Sequence, residues 1–159
     1  MSDALIPLYS TTLASATASV TISGIPGTYR DLRLIANVLG TGAILDSDYV
    51  KFNTSTADFT TVQMYGNGSA AGSNTGTSGR VSNYENTTGR PYVWTLDIFE
   101  YAQTDKHKSY LSRFNADDAG IGAFAGRWAQ TTALNAIQIY PASGSYAAGT
   151  TFSLYGIQA

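Results

Sequence analysis

The stretch 91–114 constrains the fold more than any other part of the chain. From residue 92 to 101 it is rich in β-branched and aromatic residues, and a polar break at 103–106 precedes a second alternating run at 107–114. Alternate side chains of a strand share one face, so the pattern predicts an antiparallel hairpin with one buried face. The first strand should bury four large side chains: Tyr92, Trp94, Leu96 and Ile98.

Similar alternating runs recur along the chain, separated by glycine, proline and short polar segments. They predict further strands at 13–23, 31–39, 48–53, 59–65, 123–129, 134–140 and 149–159. A domain of 159 residues can bury a core without disulfides, and the chain has no cysteine. With no helical period between the runs, the sequence predicts an all-β fold. We expect a two-sheet antiparallel β-sandwich, jelly-roll-like, with eight or nine strands.

The segment 66–90 differs from the rest because only Val81 and Tyr84 in it are able to pack. Its glycine, serine and asparagine content predicts one long loop, the most exposed and mobile part of the protein. Tyr84, with Arg80 and Arg90 on the same loop, is a candidate aromatic and cationic contact surface for a partner or a glycan. Loop residues held only by solvent are the alternative.

Residues 1–12 carry an apolar cluster around Pro7. Because proline removes a ladder donor, the segment is not expected to be a central strand. Two interpretations stay open: an extended arm that docks on a neighbouring subunit, or an edge strand on its own sheet. The domain division predicted is an N-terminal arm at 1–12 and a single β-sandwich domain at 13–159. The candidate partner-binding residues of the arm are Leu5, Ile6, Leu8 and Tyr9.

Composition argues against several classes of partner. Charged residues make up 13% of the chain, the net charge is −2, and no basic run occurs. We therefore expect no nucleic acid and no anionic membrane as partner. No apolar run approaches the roughly 18 residues of a membrane span, and the N-terminus has no signal-peptide pattern, so we expect synthesis in a cytoplasm without export.

No motif in the sequence specifies a reaction. The single histidine, His107, lies between two lysines at a predicted turn, and neither a nucleophile elbow nor a zinc-binding HExxH pattern is present. The run at 115–120 has oxygen ligands but lacks calcium-loop spacing. We expect no catalytic residue, metal or cofactor. An acid/base pair for glycoside hydrolysis would have to come from these carboxylates: Asp46, Asp48, Asp58, Asp97, Glu100, Asp105, Asp117 and Asp118.

Four elements of the chain carry a resemblance. They are LASATASVTISGIP with TYRDLRL near the start, YGNGS at 65–69, the hairpin DIFEYAQTDKHKSYLSR, and the ending AGTTFSLYGI. Together, from about residue 13 to 157, they resemble a family of tailed-phage virion structural proteins of capsid-decoration (cement) or tail-associated type. The resemblance implies a β-sandwich carried on a virion, with no catalytic residues to transfer.

The resemblance also implies a function. A decoration protein on the capsid surface would bind the lattice of the major capsid protein through multivalent contacts, and a homotrimer would supply them. The arm at 1–12 would then tie neighbours together, and the loop at 66–90 would contact the shell or project outward. The alternative is a tail-fibre or receptor-binding module that recognises host-surface glycan through exposed Tyr, Trp and Asn side chains. A polysaccharide-degrading enzyme would need two carboxylates converging in a cleft.

Overall fold

Strands account for all the regular structure in the computed structural model, which describes residues 4–41, 47–83, 91–116 and 120–158. The eleven strands are β1 (Leu5–Thr12), β2 (Val20–Ser23), β3 (Asp31–Val38), β4 (Asp48–Phe52), β5 (Phe59–Gly66), β6 (Ala71–Gly76), β7 (Tyr92–Phe99), β8 (Lys108–Ala116), β9 (Gly120–Trp128), β10 (Ala136–Pro141) and β11 (Thr151–Ile157). Within these ranges no helix is long and apolar enough to cross a membrane.

The strands form two antiparallel sheets. The larger sheet has eight strands in the order β1-β11-β3-β7-β8-β9-β5-β6, and the smaller has three in the order β2-β10-β4. The apolar core lies between them, as in a β-sandwich. The predicted fold class is confirmed, although the described residues contain eleven strands where eight or nine were expected.

The hairpin predicted at 92–114 forms the centre of the large sheet. Strands β7 and β8 pair with Trp94 opposite Phe114 and Ile98 opposite Tyr110. The large apolar side chains at alternate positions of β7 face the core, and Trp94 is 0% exposed. These pairs join large apolar side chains directly across two strands, which is the main stabilising interaction within a sheet.

Aromatic rings join the small sheet to the large one. Phe52 of β4 packs edge-on against Tyr110 of β8 and Trp128 of β9, with ring centroids 5.8 Å apart in both pairs. Its ring also lies 5.4 Å from that of Phe59. Trp128, which is 2% exposed, is therefore a core residue. Contacts of this geometry contribute about 0.5–1.5 kcal/mol each beyond their buried area.

The N-terminal segment is an edge strand of its own sheet. Strand β1 pairs along its length with β11, from Leu5 opposite Ile157 to Thr12 opposite Thr151, and the register shifts between Pro7 and Tyr9. Of the two interpretations given for residues 1–12, the edge strand on its own sheet is therefore the one that describes β1. A proline and a register shift both make an edge a poor template for further pairing.

The segment 66–90 was expected to be a single loop, but part of it is a strand. Strand β6 pairs with β5 around a turn in which the Asn67 side chain accepts hydrogen bonds from the backbone of Ser69 (3.1 Å) and Ala70 (2.7 Å). The small residues of β6 have low strand propensity, and the ladder to β5 overrides it. Val81 is fully buried, as expected, whereas 84–90 lies outside the described residues.

The strand predicted at 13–23 is shorter than expected. Only Val20–Ser23 is a strand, and residues 13–19 pair with a loop instead. The backbone nitrogen of Leu13 donates to the carbonyl of Thr150, and Thr17 and Tyr146 exchange two hydrogen bonds of 2.9 Å. These contacts satisfy backbone groups of residues 13–19 that would otherwise be paired with a neighbouring strand.

Candidate functional site on the outer face of the eight-stranded sheet

The large sheet exposes aliphatic side chains on the face that points away from the core. Val62 is 55% exposed, Met64 66%, Leu111 49% and Ile121 68%. They occupy the alternate positions of strands whose other positions are buried, such as Thr61 and Gln63 on β5. Scattered exposed apolar residues are normal in a soluble protein, but a contiguous group is typical of an interaction surface.

The strand register makes this group contiguous. Ala125 of β9 lies opposite Val62 of β5 on one side and opposite Leu111 of β8 on the other. In the next row, Ala123 lies between Met64 and Arg113. The two alanines form the floor of a groove of about 380 Å³ along β9, and the larger side chains of the neighbouring strands form its walls. We call this the β9 groove.

Charged side chains border the β9 groove. The guanidinium of Arg33 donates two hydrogen bonds to the carboxylate of Asp97, of 2.6 and 3.0 Å, and this pairing raises the pKa of Arg33 above its usual range. Arg113 and Arg127 are exposed and make no ion pair with any described residue. The floor of the groove is therefore apolar, and Arg113 and Arg127 lie beside it without an ion pair to any residue that the structure describes.

A second polar cluster lies inside the sandwich, around Asp48. Its carboxylate accepts hydrogen bonds from the hydroxyls of Tyr92 (2.6 Å), Ser82 (2.7 Å) and Tyr146 (2.8 Å), and it is 0% exposed. Burial raises the pKa of Asp48, while the hydrogen bonds from Tyr92, Ser82 and Tyr146 lower it. Because no solvent reaches this carboxylate, the cluster fixes the packing of β4 and does not form an accessible active site.

Lys108 is also buried, at the start of β8. Its ammonium donates to the carbonyls of Gln103 (2.5 Å), Lys106 (3.0 Å) and Thr131 (3.2 Å). Burial lowers the pKa of this lysine. The three carbonyls belong to two loops, so the side chain holds the 100–107 turn against the segment after β9.

A small polar cavity lies beside Gln63. The cavity measures about 50 Å³ and is lined by polar groups that include Thr61, Asn74 and Arg80. Both polar atoms of the Gln63 amide are buried and have no hydrogen-bond partner. A buried amide without partners is destabilising. Among the described residues, the indole nitrogens of Trp94 and Trp128 are the other buried side-chain atoms without a hydrogen-bond partner.

The structure separates the residues predicted to bind partners. Leu8 and Tyr9 pack against the core, while Leu5 is 43% exposed. Ile6 is half-buried on the same strand.

The Arg80 guanidinium lies between the rings of Tyr49 and Phe124, at 6.0 and 5.9 Å from their centroids. It also hydrogen-bonds Ser47 and Asn83. Tyr84 and Arg90 lie outside the described residues, so the contact surface predicted for Arg80, Tyr84 and Arg90 together stays a prediction.

Among the described residues, Asp97 is the one candidate acid/base carboxylate that lines the β9 groove. Asp97 is paired with Arg33, and Glu100 is paired at 2.9 Å with Lys106. Asp58 accepts a hydrogen bond from Gln130, and Asp46, Asp117 and Asp118 lie outside the described residues. His107 is exposed, as expected of a turn residue. The described part of the chain contains no cluster of three His, Cys, Asp or Glu side chains that could hold a metal.

The sequence analysis did not single out the residues of the β9 groove. A signal was present, because Val62 and Met64 alternate with the inward-facing residues of β5, and Leu111 with those of β8. Aliphatic residues at outward positions of two strands indicate a surface that is covered by something else.

Comparison with known proteins gives a likeness of shape and no family. No protein-family model and no curated protein matches the chain. Galectin LEC-6 of Caenorhabditis elegans is 14% identical with a TM-score of 0.37, and the match covers 94% of this chain and 96% of that one. Alginate lyase Aly36B is 11% identical with a TM-score of 0.39, over 99% and 80% of the two chains. An exo-inulinase of Aspergillus awamori is 11% identical with a TM-score of 0.40, over 96% and 29%. Values this low carry no argument about what this chain binds.

Proposed function

We propose that this chain is a non-enzymatic structural protein of a tailed-phage virion, a capsid decoration (cement) protein that binds the lattice of the major capsid protein. The observation that carries the proposal is the exposed aliphatic surface of the β9 groove. Monomeric proteins seldom leave contiguous apolar surface in water, and such surface is typical of a protein contact. The resemblance of the sequence to capsid-decoration or tail-associated virion proteins supports this proposal, and we propose the capsid surface as the location after synthesis in the host cytoplasm.

The arrangement of the groove suits protein contact better than catalysis. Its floor is two alanines, and its walls combine the aliphatic side chains of Val62, Met64 and Leu111 with the charged side chains of Asp97 and Arg113. Among the described residues of this face the carboxylate of Asp97 is engaged by Arg33. A carboxylate held in an ion pair is poorly suited to act as a general acid or base, which favours protein contact over hydrolysis at this groove.

Multivalent attachment follows from the size of the surface. One groove of this area gives a modest affinity, because association also costs translational freedom and side-chain ordering. A homotrimer would present three grooves to a symmetric shell, and linked contacts increase the overall affinity by about 100-fold or more without any new interaction.

Glycan recognition by a tail-fibre module has less support. It was expected to use exposed Tyr, Trp and Asn side chains, and of these both tryptophans are buried, with Trp94 0% and Trp128 2% exposed. Neither ring can stack on a sugar. Glycan binding is kept as an outcome of the test below.

The test combines a copy number with a pair of matched variants. The ratio of this chain to the major shell protein in purified particles should be near one to one, and particles stripped of the chain should rebind it. Val62→Asn with Ile121→Asn, the groove variant, should reduce rebinding about tenfold or more. It removes one exposed aliphatic side chain from the groove wall and one that lies beside the groove on β9. Thr21→Asn with Ser23→Asn, on outward positions of the small sheet, is the control and should rebind normally.

Two results would overturn the proposal. Undiminished rebinding by the groove variant would show that the β9 groove is not the contact surface. A copy number of a few per cent would instead identify a tail or fibre component, and a glycan array would then be the next measurement.

A further inference from the structure

The partner of the β9 groove can be described from the charges beside it. Arg113 lies opposite Ala123 on β9, and Arg127 lies on β9 itself, four residues further along. At roughly 3.4 Å per strand residue and 4.8 Å between strands, their Cα atoms are about 14 Å apart. The described carboxylate that lines the groove, Asp97 on β7 opposite Leu111, is already paired with Arg33. The groove therefore has a free positive charge near each end.

The floor between the two arginines consists of small apolar residues, on which an aliphatic side chain can pack. Ala123 and Ala125 are the small residues of the groove, and Val62 and Leu111 stand on either side of Ala125. A side chain placed between the arginines would contact these four residues at once. Burial of an aliphatic side chain against these residues removes apolar surface from water and favours binding.

An extended peptide matches this spacing. Residues i, i+2 and i+4 of a strand point to the same side, and i and i+4 are about 13–14 Å apart. Carboxylates at i and i+4 would reach the two arginines, while an aliphatic residue at i+2 would enter the floor. Helical spacing places i and i+4 only about 6 Å apart and fits the arginines poorly.

We propose that the β9 groove binds an extended acidic segment of a protein partner, in which two carboxylates four residues apart flank an aliphatic side chain. This inference rests on the proposed function, since it names the chemistry of the segment that the shell protein presents. It also explains why two arginines on a chain of net charge −2 remain without an ion pair to a described residue.

The inference is tested with labelled peptides and the full chain. The probe is a blocked nine-residue peptide with Asp at positions 3 and 7, Leu at position 5 and Thr or Ser elsewhere, and binding is followed by fluorescence anisotropy. At low salt it should bind about tenfold more tightly than the same peptide with Asn at 3 and 7, and the difference should disappear at high salt. A peptide with Asp at 3 and 5 and Leu at 7 should bind like the Asn peptide.

Matched variants assign the effect to the arginines. Arg113→Gln and Arg127→Gln should each weaken binding of the Asp peptide about two- to fivefold and leave binding of the Asn peptide unchanged. Lys51→Gln removes the same charge from the small sheet, where the ammonium lies 5.0 Å from the Tyr140 ring centroid, and should have no effect.

The outcomes separate this inference from the proposed function. Equal affinity for the Asp and Asn peptides, or no binding of either, overturns the acidic segment, and rebinding to particles by the Val62 and Ile121 variant still decides the decoration function. Preference for the Asp peptide together with undiminished rebinding of that variant would support the acidic specificity of the groove and contradict its use on the shell.

Discussion

The hydroxyl of Tyr146 donates a hydrogen bond of 2.8 Å to the Oδ1 atom of Asp48, which is 98 residues away in sequence. It joins the loop after β10 to the first residue of β4. Tyr146→Phe should lower the free energy of unfolding by about 1.5–3 kcal/mol, because a buried carboxylate loses a donor that water cannot replace. Urea denaturation of the wild type and the variant measures this difference in unfolding free energy. Tyr155→Phe on the outer face is the control, and an equal loss in both variants would contradict the prediction.

The burial of Asp48 predicts a pH dependence. Its pKa is raised in the folded protein, so the folded state binds this proton more readily than the unfolded chain does. The contribution of Asp48 to stability therefore increases as the pH falls towards the unfolded value of about 4, and it declines as the pH rises through the folded value. The unfolding free energy of the wild type relative to Asp48→Asn should rise on acidification. A constant difference between pH 7 and about pH 4 would refute this.

Lys108→Met should be strongly destabilising. The substitution keeps the apolar stem but removes the ammonium that donates to the carbonyls of Gln103, Lys106 and Thr131, at a cost of about 1.5–3 kcal/mol. Thermal unfolding by circular dichroism would show a lower midpoint. Lys106→Met, which changes an exposed lysine paired with Glu100, is the control and should leave the midpoint where it was. Similar midpoints for the two variants would show that the ammonium contacts are dispensable.

Gln63→Met should stabilise the protein. Both polar atoms of the amide are buried without partners, so an apolar side chain of similar length should raise the unfolding free energy by about 1 kcal/mol. Gln130→Met is the matched control, since the Gln130 amide donates a hydrogen bond of 2.6 Å to Asp58 and gains nothing from replacement. A loss of stability in Gln63→Met would mean that ordered water in the cavity satisfies the amide.

Gly126→Ala should lower the unfolding free energy by about 1–3 kcal/mol. A methyl group at this position of β9 would overlap the ring of Tyr110 on the neighbouring strand, and that ring is buried and cannot move aside. Gly27→Ala is the control, because its methyl group would meet only Ala102 at 3.5 Å. Denaturant unfolding of both variants would decide, and a tolerated alanine at 126 would show that the ring has room to shift.

The sequence predicted well the features that depend on local alternation. The hairpin of β7 and β8 and the buried positions of β11 follow from period-two patterns of large apolar residues. The burial of Asp48 could have been predicted in the same way, since it shares a face with Val50 and Phe52. Lys108 likewise shares a face with Tyr110. Charge alone made both residues look solvent-exposed.

Features that depend on pairing between distant segments could not be predicted from the sequence. Strand β6 has small residues with little strand propensity, and only its ladder with β5 makes it a strand. The β9 groove requires three strands to be placed side by side, with Ala125 between Val62 and Leu111. A single sequence contains the residues of such a surface but not their register.

The order of strands in the large sheet has a consequence for synthesis. Strand β11 lies between β1 and β3 and pairs with both, so the first strand of the chain has no ladder partner until residues 151–157 have left the ribosome. Contacts between such distant segments form slowly because a long loop must close first. During translation the apolar residues of β1 remain without their partner strand, so we expect β1 to join the sheet late and to be exposed to unwanted contacts until then.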